Sequence, residues 1–386
     1  MFGTRPEAIK LAPVIAEVGR RRTLRGITCS TGQHREMLGQ ALRIFGITPD
    51  HDLGVMEADQ RLEAVTAAVI ERTALIIEKT KPGLVIVQGD TASAMAVALA
   101  AFFKQVPVGH VEAGLRSGNR LSPYPEELTR RLISQIATLH FAPTTRAAEK
   151  LVAEGADVEG SVFLTGNTVV DAIRWILDRR GTDGRRTSPD GRRMILLTAH
   201  RRENFGAPIE RIFAAVRRIV DANSDVVVTY PVHMNPRIQE PAWRLLSGHE
   251  RIRLVEPLDY PGLIDALADA TLVLTDSGGI QEEAPVLGKP TLVLREETER
   301  PEAIDAGTAI LVGTDEERIV SVAQRLLDDP RAYARMARAG SPFGDGHAAG
   351  RIADIVEAWH RREPLPHRFV ALPDSAPVVP SPAATR

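Results

Sequence analysis

Leu272-Val273-Leu274-Thr275-Asp276-Ser277-Gly278-Gly279-Ile280-Gln281-Glu282-Glu283 is the stretch that decides the fold class. A short apolar strand ends in an acid, a Ser-Gly-Gly turn follows, and a helical pattern starts directly behind it. This is the strand-to-helix unit from which open α/β sheets are built. Glycines let a backbone approach a ligand closely, and the N–H groups of a first helical turn attract phosphate oxygens. Glu283 lies about one turn inside that helix, where a carboxylate can accept both hydroxyls of a ribose. Taken alone, Ser277-Gly278-Gly279 is equally a tight turn between a strand and a helix. There is no early G-x-G-x-x-G, so a firmly held Rossmann-type dinucleotide is not expected.

The same rhythm runs outward in both directions. In the first half, strand patterns fall at Gly26–Ser30, Leu84–Gln88, Val106–Val111, Leu139–Ala142 and Val162–Leu164, with helical patterns starting near Pro6, His34, Gln60, Ala92, Glu126 and Thr144. In the second half, strands fall at Met194–Thr198, Val226–Tyr230, Ile252–Val255, Leu272–Thr275 and Thr291–Leu294, with helices from about Ala207, Asn235, Tyr260, Ile280 and Glu316. Arg179–Arg193 lacks apolar periodicity and reads as a surface loop or linker. With 386 residues the chain exceeds one ordinary core, so two domains of similar size are expected. A last helix over Ala348–His360 follows the Ser341–Gly346 turn, and the Pro-, Ala- and Ser-rich residues from about Glu363 read as disordered.

Composition narrows the function classes. The 42 arginines and 6 lysines are matched by 50 acidic residues, giving a net charge of −2, which does not suggest a nucleic-acid partner. The one cysteine, Cys29, lies in an apolar stretch and reads as a small buried residue. No signal peptide or membrane-length apolar run is visible, so a cytoplasmic protein without a membrane partner is expected.

The opening residues Met1-Phe2-Gly3-Thr4-Arg5-Pro6-Glu7-Ala8-Ile9-Lys10 place a glycine turn, an arginine and a lysine at the start of an amphipathic helix. Pro6 and Glu7 suit a first helical turn, and Ile9, Leu11 and Val14 begin a buried stripe. Arg5 and Lys10 then flank a helix end expected to attract phosphate, although each by itself also reads as surface charge. A doubly wound domain normally opens on a strand. Either that strand is missing ahead of Met1, through a misplaced start codon, or the domain tolerates an incomplete sheet; the first is the expectation.

Further strands end in acids, at Gln88-Gly89-Asp90-Thr91 and at His110-Val111-Glu112-Ala113-Gly114-Leu115-Arg116. Ligands of open sheets sit beyond the C-terminal strand ends, so Asp90 and Glu112 face one crevice if their strands are neighbours. Pro125-Glu126-Glu127 opens a helix, where either glutamate alone is explained by capping electrostatics. Three acids at loop ends exceed that need and offer a general base and a general acid. His200-Arg201-Arg202-Glu203-Asn204 adds a donor and cations for an anion, and His233 lies in Pro231-Val232-His233-Met234-Asn235-Pro236. No zinc spacing and no G-x-S-x-G elbow is present, so neither a metal nor a serine nucleophile is expected.

Together with Thr31-Gly32-Gln33-His34 and Thr298-Glu299-Arg300-Pro301-Glu302, these strings resemble the non-hydrolysing UDP-N-acetylglucosamine 2-epimerases from Met1 to about His360. No one string is decisive; their joint order is specific. The resemblance implies two Rossmann-like α/β domains in a glycosyltransferase-B-like arrangement with an interdomain cleft. The boundaries expected are 1–167 for the domain carrying the acids, 168–345 for the UDP-binding domain, 346–362 for a helix returning to the first domain, and 363–386 for the tail.

The resemblance also implies reversible conversion of UDP-GlcNAc and UDP-ManNAc through elimination of UDP to 2-acetamidoglucal, without a cofactor. It assigns Lys10, Asp90, Glu112, Glu126 and His200 to catalysis, and Arg5, Arg116, His200, Ser277, Gly278, Gly279, Glu283 and Thr298 to the UDP-sugar. Gln33 and His233 match a second, regulatory nucleotide-sugar site. In Met56-Glu57-Ala58-Asp59-Gln60-Arg61 an acid, Asp59, stands where a nucleotide-contacting arginine is expected, so that site should be weakened and activation lost. A homodimer is implied by analogy. The alternatives are a 2-epimerase of another UDP-2-acetamido sugar, such as a UDP-2,3-diacetamido uronic acid, and a non-catalytic nucleotide-sugar binding protein.

Overall fold

The computed structural model describes residues 1–32, 35–55, 61–158, 160–180 and 191–366. The chain divides into two compact units, one of Met1–Trp175 with the segment from Phe343, the other of Ile176–Pro342.

The first unit runs α1 (Arg5–Arg20), β1 (Cys29–Ser30), α2 (Arg35–Phe45), β2 (His51–Asp52), α3 (Leu62–Thr80), β3 (Val85–Gln88), α4 (Ala92–Phe103) and β4 (Val108–Val111). It continues with α5 (Glu126–Ile136), β5 (Leu139–Ala142), α6 (Thr145–Ala153), β6 (Val162–Leu164) and α7 (Thr168–Arg180). β3, β4, β5 and β6 form a parallel sheet in that order, and β1 pairs with β2. Met1 and Phe2 lie between β1 and β3. Phe2 bridges Ser30 in parallel, and the Met1 ammonium donates to the Ile86 carbonyl at 2.8 Å. The order of a doubly wound sheet follows, with its switch point between Phe2 and β3.

Local sequence explains the helices that matter most. Thr4 and Glu7 form a reciprocal capping box at the start of α1, and Ala8, Ile9, Leu11 and Val14 are buried. α4 is apolar almost all round because α3 and α5 cover it on two sides. The sequence reading does not mark α7, whose Val169, Val170, Ala172 and Ile173 are buried in the first unit and whose Trp175 meets the Phe45 ring at 4.6 Å. The division between the units therefore falls inside that helix.

The second unit runs β7 (Arg193–Thr198), α8 (Ala207–Ala222), β8 (Val226–Pro231), α9 (Pro236–Leu246), β9 (Ile252–Val255), α10 (Tyr260–Asp269), β10 (Leu272–Thr275) and α11 (Gly278–Val286). β11 (Thr291–Val293), α12 (Pro301–Asp305), β12 (Ala309–Leu311), α13 (Glu316–Asp328) and α14 (Pro330–Ala337) complete it. The parallel sheet is ordered β12-β11-β10-β7-β8-β9, a doubly wound order with its switch point between β7 and β10. Ile195, Leu197, Val228 and Leu274 pack with Phe213, Val216 and Ile319 from the helices.

The final helix, α15 (Ala348–Arg361), joins the first unit and packs on α1. Asp171 of α7 accepts the N–H groups of Ala348 and Ala349 at 3.2 and 2.9 Å, capping the α15 start. Arg351 pairs with Asp345 at 2.6 Å and donates to the Thr165 carbonyl at 3.0 Å.

Two tests follow from this packing. Gly114 has φ +94°, and a Cβ on it would lie 2.2 Å from the Ala147 carbonyl oxygen, whereas Gly118, φ +84°, has open space around it. Gly114→Ala should cost about 3 kcal/mol or more in urea unfolding and Gly118→Ala about 1 kcal/mol; equal losses would refute the close-approach account. The second test concerns His110 and His140, register partners on β4 and β5. Burial pushes them down to about 3 and about 4, from an ordinary 6.5. Unfolded histidine takes up its proton near pH 6.5 while the folded pair stays neutral. The stability they confer is therefore complete above pH 6.5 and is lost as pH falls towards 4. A loss of a few kcal/mol between pH 7 and 4.5 is expected, with a shallower slope in His140→Gln; slopes that do not differ would contradict this.

Candidate functional site

The acids of the first unit meet because β3 and β4 are adjacent and in register, Gln88 beside Val111. Gly89-Asp90 and Glu112 thus leave the sheet at one edge. Glu112 has φ +64°, a left-handed conformation that costs a non-glycine residue about 1–2 kcal/mol. Its carboxylate is fixed there by Lys10 of α1, paired with Oε2, and by the Gln88 amide donating at 3.0 Å. His110 Nε2 donates to the Gly89 carbonyl at 2.7 Å and so fixes the turn ahead of Asp90. The Asp90 Oδ2 accepts Arg130 Nη2 at 2.6 Å and Nε at 3.2 Å, and the Thr129 hydroxyl donates to the Asp90 carbonyl. These bonds draw the start of α5 to the same edge, and Glu126 is its first residue.

The phosphate expected at the start of α1 is displaced by the chain's own carboxylate. Glu7 accepts the N–H groups of Gly3 and Thr4 at 2.6 and 2.8 Å and the Thr91 hydroxyl at 2.5 Å. Burial pushes the Glu7 carboxyl up, and these bonds oppose that shift. The Gly3 and Thr4 N–H groups are therefore occupied. Arg5, half-buried beside the cap, remains as the cation of that turn.

The second unit supplies a better anion seat, at its switch point. The Thr198 and Thr275 hydroxyls meet at 2.6 Å where β7 and β10 end. Beyond them the fully buried Asp276 accepts the N–H groups of His200 and Arg201, both at 2.8 Å, and the Asn204 amide at 3.0 Å. One buried carboxylate thus shapes the His200–Asn204 turn. The His200 ring stacks on His233 at 5.3 Å and 11°, and its Nδ1 lies 3.6 Å from Asp276.

Ser277 precedes α11 without a side-chain cap bond, so the N–H groups of Gly278 and Gly279 keep the positive end of the helix open. A Cβ on Gly278 would lie 3.4 Å from Arg201 Nη2, so glycine there lets a guanidinium reach the same helix end. Glu283 is buried farther along α11. Thr298 donates to Gln281 at 2.5 Å and accepts the Arg300 N–H at 3.0 Å, while Gln281 donates to the Ser277 carbonyl at 3.2 Å; this chain of bonds braces the turn.

Lys10, Asp90, Glu112 and Glu126 accordingly gather in the first unit, and His200, Ser277, Gly278, Gly279, Glu283 and Thr298 in the second. Arg116 is committed elsewhere, bidentate to Glu154 at 2.7 and 3.0 Å and bonded to Ser134 at 3.1 Å. His233 is exposed and accepts the Asn235 N–H at 3.1 Å. Gln33 and Asp59 lie outside the described residues. From sequence alone Gln88 and Asp276 have no anchoring role, Glu127 reads as a capping charge and Arg130 carries no signal; it lies about one turn past each of the paired glutamates. Among the described residues there is no cluster of three metal-ligating side chains, and no helix is long and apolar enough to cross a membrane.

Comparison with known proteins agrees with this geometry. The family model described as UDP-N-acetylglucosamine 2-epimerase matches residues 16–357. The UDP-N-acetylglucosamine 2-epimerase of Bacillus subtilis is 47% identical over 374 residues, covering 94% of this chain and 96% of that protein. The solved structure of S. aureus MnaA with UDP superposes with a TM-score of 0.87 at 44% identity, covering 96% of this chain and 98% of that one. The Neisseria meningitidis UDP-GlcNAc 2-epimerase bound to UDP-GlcNAc gives 0.86 at 42% identity, covering 93% and 98%. With its two parallel α/β sheets and the match over most of its length, the chain belongs to the UDP-N-acetylglucosamine 2-epimerase family.

Proposed function

We propose that this protein is an isomerase that interconverts UDP-N-acetylglucosamine and UDP-N-acetylmannosamine by the non-hydrolysing route, with no cofactor. The observation that carries the reading is the pair of carboxylates, Asp90 and Glu112, fixed side by side at the ends of adjacent strands, each with its own cation. The C2 proton of the sugar is weakly acidic because no carbonyl adjoins it. Its removal must be coupled to departure of UDP from C1, giving 2-acetamidoglucal, and inversion needs acid–base groups on both faces of C2. Asp90, Glu112 and Glu126 are the candidate groups, with Lys10 orienting Glu112.

In this reading the open start of α11, with Ser277, Gly278 and Gly279, binds the diphosphate, helped by His200 and Arg5, and Glu283 holds the ribose. Thr298 braces that turn, and Arg116 supports the loop after β4 from a distance. His233 and Gln33 are assigned to a second nucleotide-sugar site, weakened by Asp59. The glycosyltransferase-B-like arrangement with an interdomain cleft, and a cytoplasmic location, come from the sequence resemblance.

We also infer a homodimer. Leu75, Phe102, Phe103, Leu128 and Leu132 are exposed on α3, α4 and α5, three helices packed side by side. Several large apolar side chains on adjoining helices are the mark of a self-complementary interface.

Incubation with UDP-GlcNAc in D₂O should yield UDP-ManNAc carrying deuterium at C2 by NMR. Asp90→Asn and Glu112→Gln should each slow turnover about 100-fold or more while UDP affinity changes less than about threefold; unexchanged substrate with the wild-type protein would end the reading. Sedimentation should show a dimer that Leu132→Glu or Phe103→Glu converts to a folded monomer, and a monomeric wild type would exclude it.

A further inference from the structure

The two carboxylates at the acidic edge are held by cations of different chemistry. The ammonium of Lys10 can give up a proton, whereas the guanidinium of Arg130 stays charged at any pH a protein survives. The Arg130 side chain is only 4% exposed. A guanidinium so far from water is costly unless its charge is answered and its N–H groups are used. Glu127, with a fully buried side chain, answers it. It accepts Arg130 Nη1 at 3.2 Å, Arg131 Nη2 at 2.9 Å and the Ser117 N–H at 2.8 Å. Burial pushes the Glu127 carboxyl up, but the Ser117 N–H and the two arginines outweigh it and hold the group below the usual carboxylate range. One edge of Arg130 is thus fixed by a permanent anion, and the Nε–Nη2 edge is aimed at Asp90.

The surroundings of Asp90 leave this contact decisive. α5 contributes Arg130, with Glu127 and Arg131 behind it, and Glu126 in its first turn. α1 contributes Glu7, through Thr91, and Lys10; β4 contributes the neutral His110, through the Gly89 carbonyl, and Glu112. Among the described residues only Arg130 touches the Asp90 carboxylate, and it uses Oδ2 alone. The Asp90 side chain is 27% exposed.

We propose that Arg130 is a positioning residue of the epimerisation centre, holding Asp90 as an aimed base while the Lys10–Glu112 pair carries the proton for the opposite face. The proposal rests on the reaction proposed above. Asp90 takes the C2 proton, the C–H electron pair becomes the C1–C2 double bond, and the C1–O pair leaves with UDP. On the return, the double bond takes the proton held by the Lys10–Glu112 pair at C2, and a diphosphate oxygen donates its electron pair to C1. Exchange with water then resets both carboxyl groups.

The test uses Arg130→Gln and Arg130→Lys, with circular dichroism to check folding. In Arg130→Gln, kcat should fall about 100-fold, with KM and UDP affinity within about threefold. Arg130→Lys, still cationic but unable to form the fork, should recover at least about tenfold of the lost rate. In parallel, the ¹³C-carboxyl NMR signal of Asp90 in aspartate-labelled protein, assigned by its loss in Asp90→Asn, should move in Arg130→Gln at fixed pH and return part of the way in Arg130→Lys. A slower Arg130→Gln enzyme that Arg130→Lys does not rescue and whose Asp90 signal stays in place would make Arg130 merely structural and overturn the proposal, as would UDP binding lost in step with kcat. If the wild type neither epimerises nor exchanges UDP-GlcNAc, the reaction assigned above fails, and the Asp90 signal still decides whether Arg130 holds Asp90.

Discussion

At the switch point of a doubly wound sheet, two neighbouring parallel strands send their following segments to opposite faces, and backbone groups at the strand ends are left without strand partners. Both units of this protein are organised by that constraint. In the second unit it separates the turn after β7 from the turn after β10, and Asp276 spans the gap by accepting N–H groups from the first while standing at the head of the second. In the first unit Glu7 takes the corresponding part, binding Gly3 and Thr4 ahead of α1 and Thr91 after β3. A buried carboxylate in each unit thus satisfies donors that the sheet leaves over.

The division of labour among acids follows from where each is buried. Glu7 and Glu127 turn their oxygens inward onto N–H groups, a hydroxyl and guanidinium, and Asp276 does so through Oδ2, so they hold shape. Asp90 and Glu126 are partly exposed, and Glu112, its side chain 7% exposed, leaves the sheet beside Asp90; these three are the acids gathered at the strand ends. Paired glutamates at the start of α5 illustrate the difference: neighbours in sequence, about 100° apart on the helix, they face different surroundings. Buried charges of this kind cost desolvation, and the bonds they collect offset it while fixing one arrangement of the loops. Glu282 and Arg300, an ion pair buried beneath α11, do the same for the segment after β11.

Much of the fold was legible because buried parallel strands are short runs of apolar and β-branched residues bounded by turn formers. Leu139–Ala142, Val162–Leu164, Ile252–Val255 and Leu272–Thr275 stand where their composition put them. The strand expected over Gly26–Ser30 shrinks to Cys29–Ser30. β2 and β12 escaped notice because two or three residues carry no period, and β2 is His51–Asp52, not apolar at all. α7 begins Thr-Val-Val, which reads as extended, and only burial against the first unit makes it a helix. α14 was hidden behind Asp329-Pro330, a pair that reads as a stop and in fact caps the next helix.

The sequence by itself determined the α/β rhythm, the strand ends that carry acids, the open helix start at Ser277-Gly278-Gly279 and the family resemblance, because each of these is written in contiguous residues. Tertiary structure alone decided that Glu112 sits in a left-handed turn between Lys10 and Gln88, that Glu7 closes the helix end left for a phosphate, that Arg116 turns away to Glu154, and that Arg130 grips Asp90. Those outcomes depend on which side chains a parallel register brings within 3 Å of one another from positions 40 or more than 100 residues apart, and no local pattern encodes that distance.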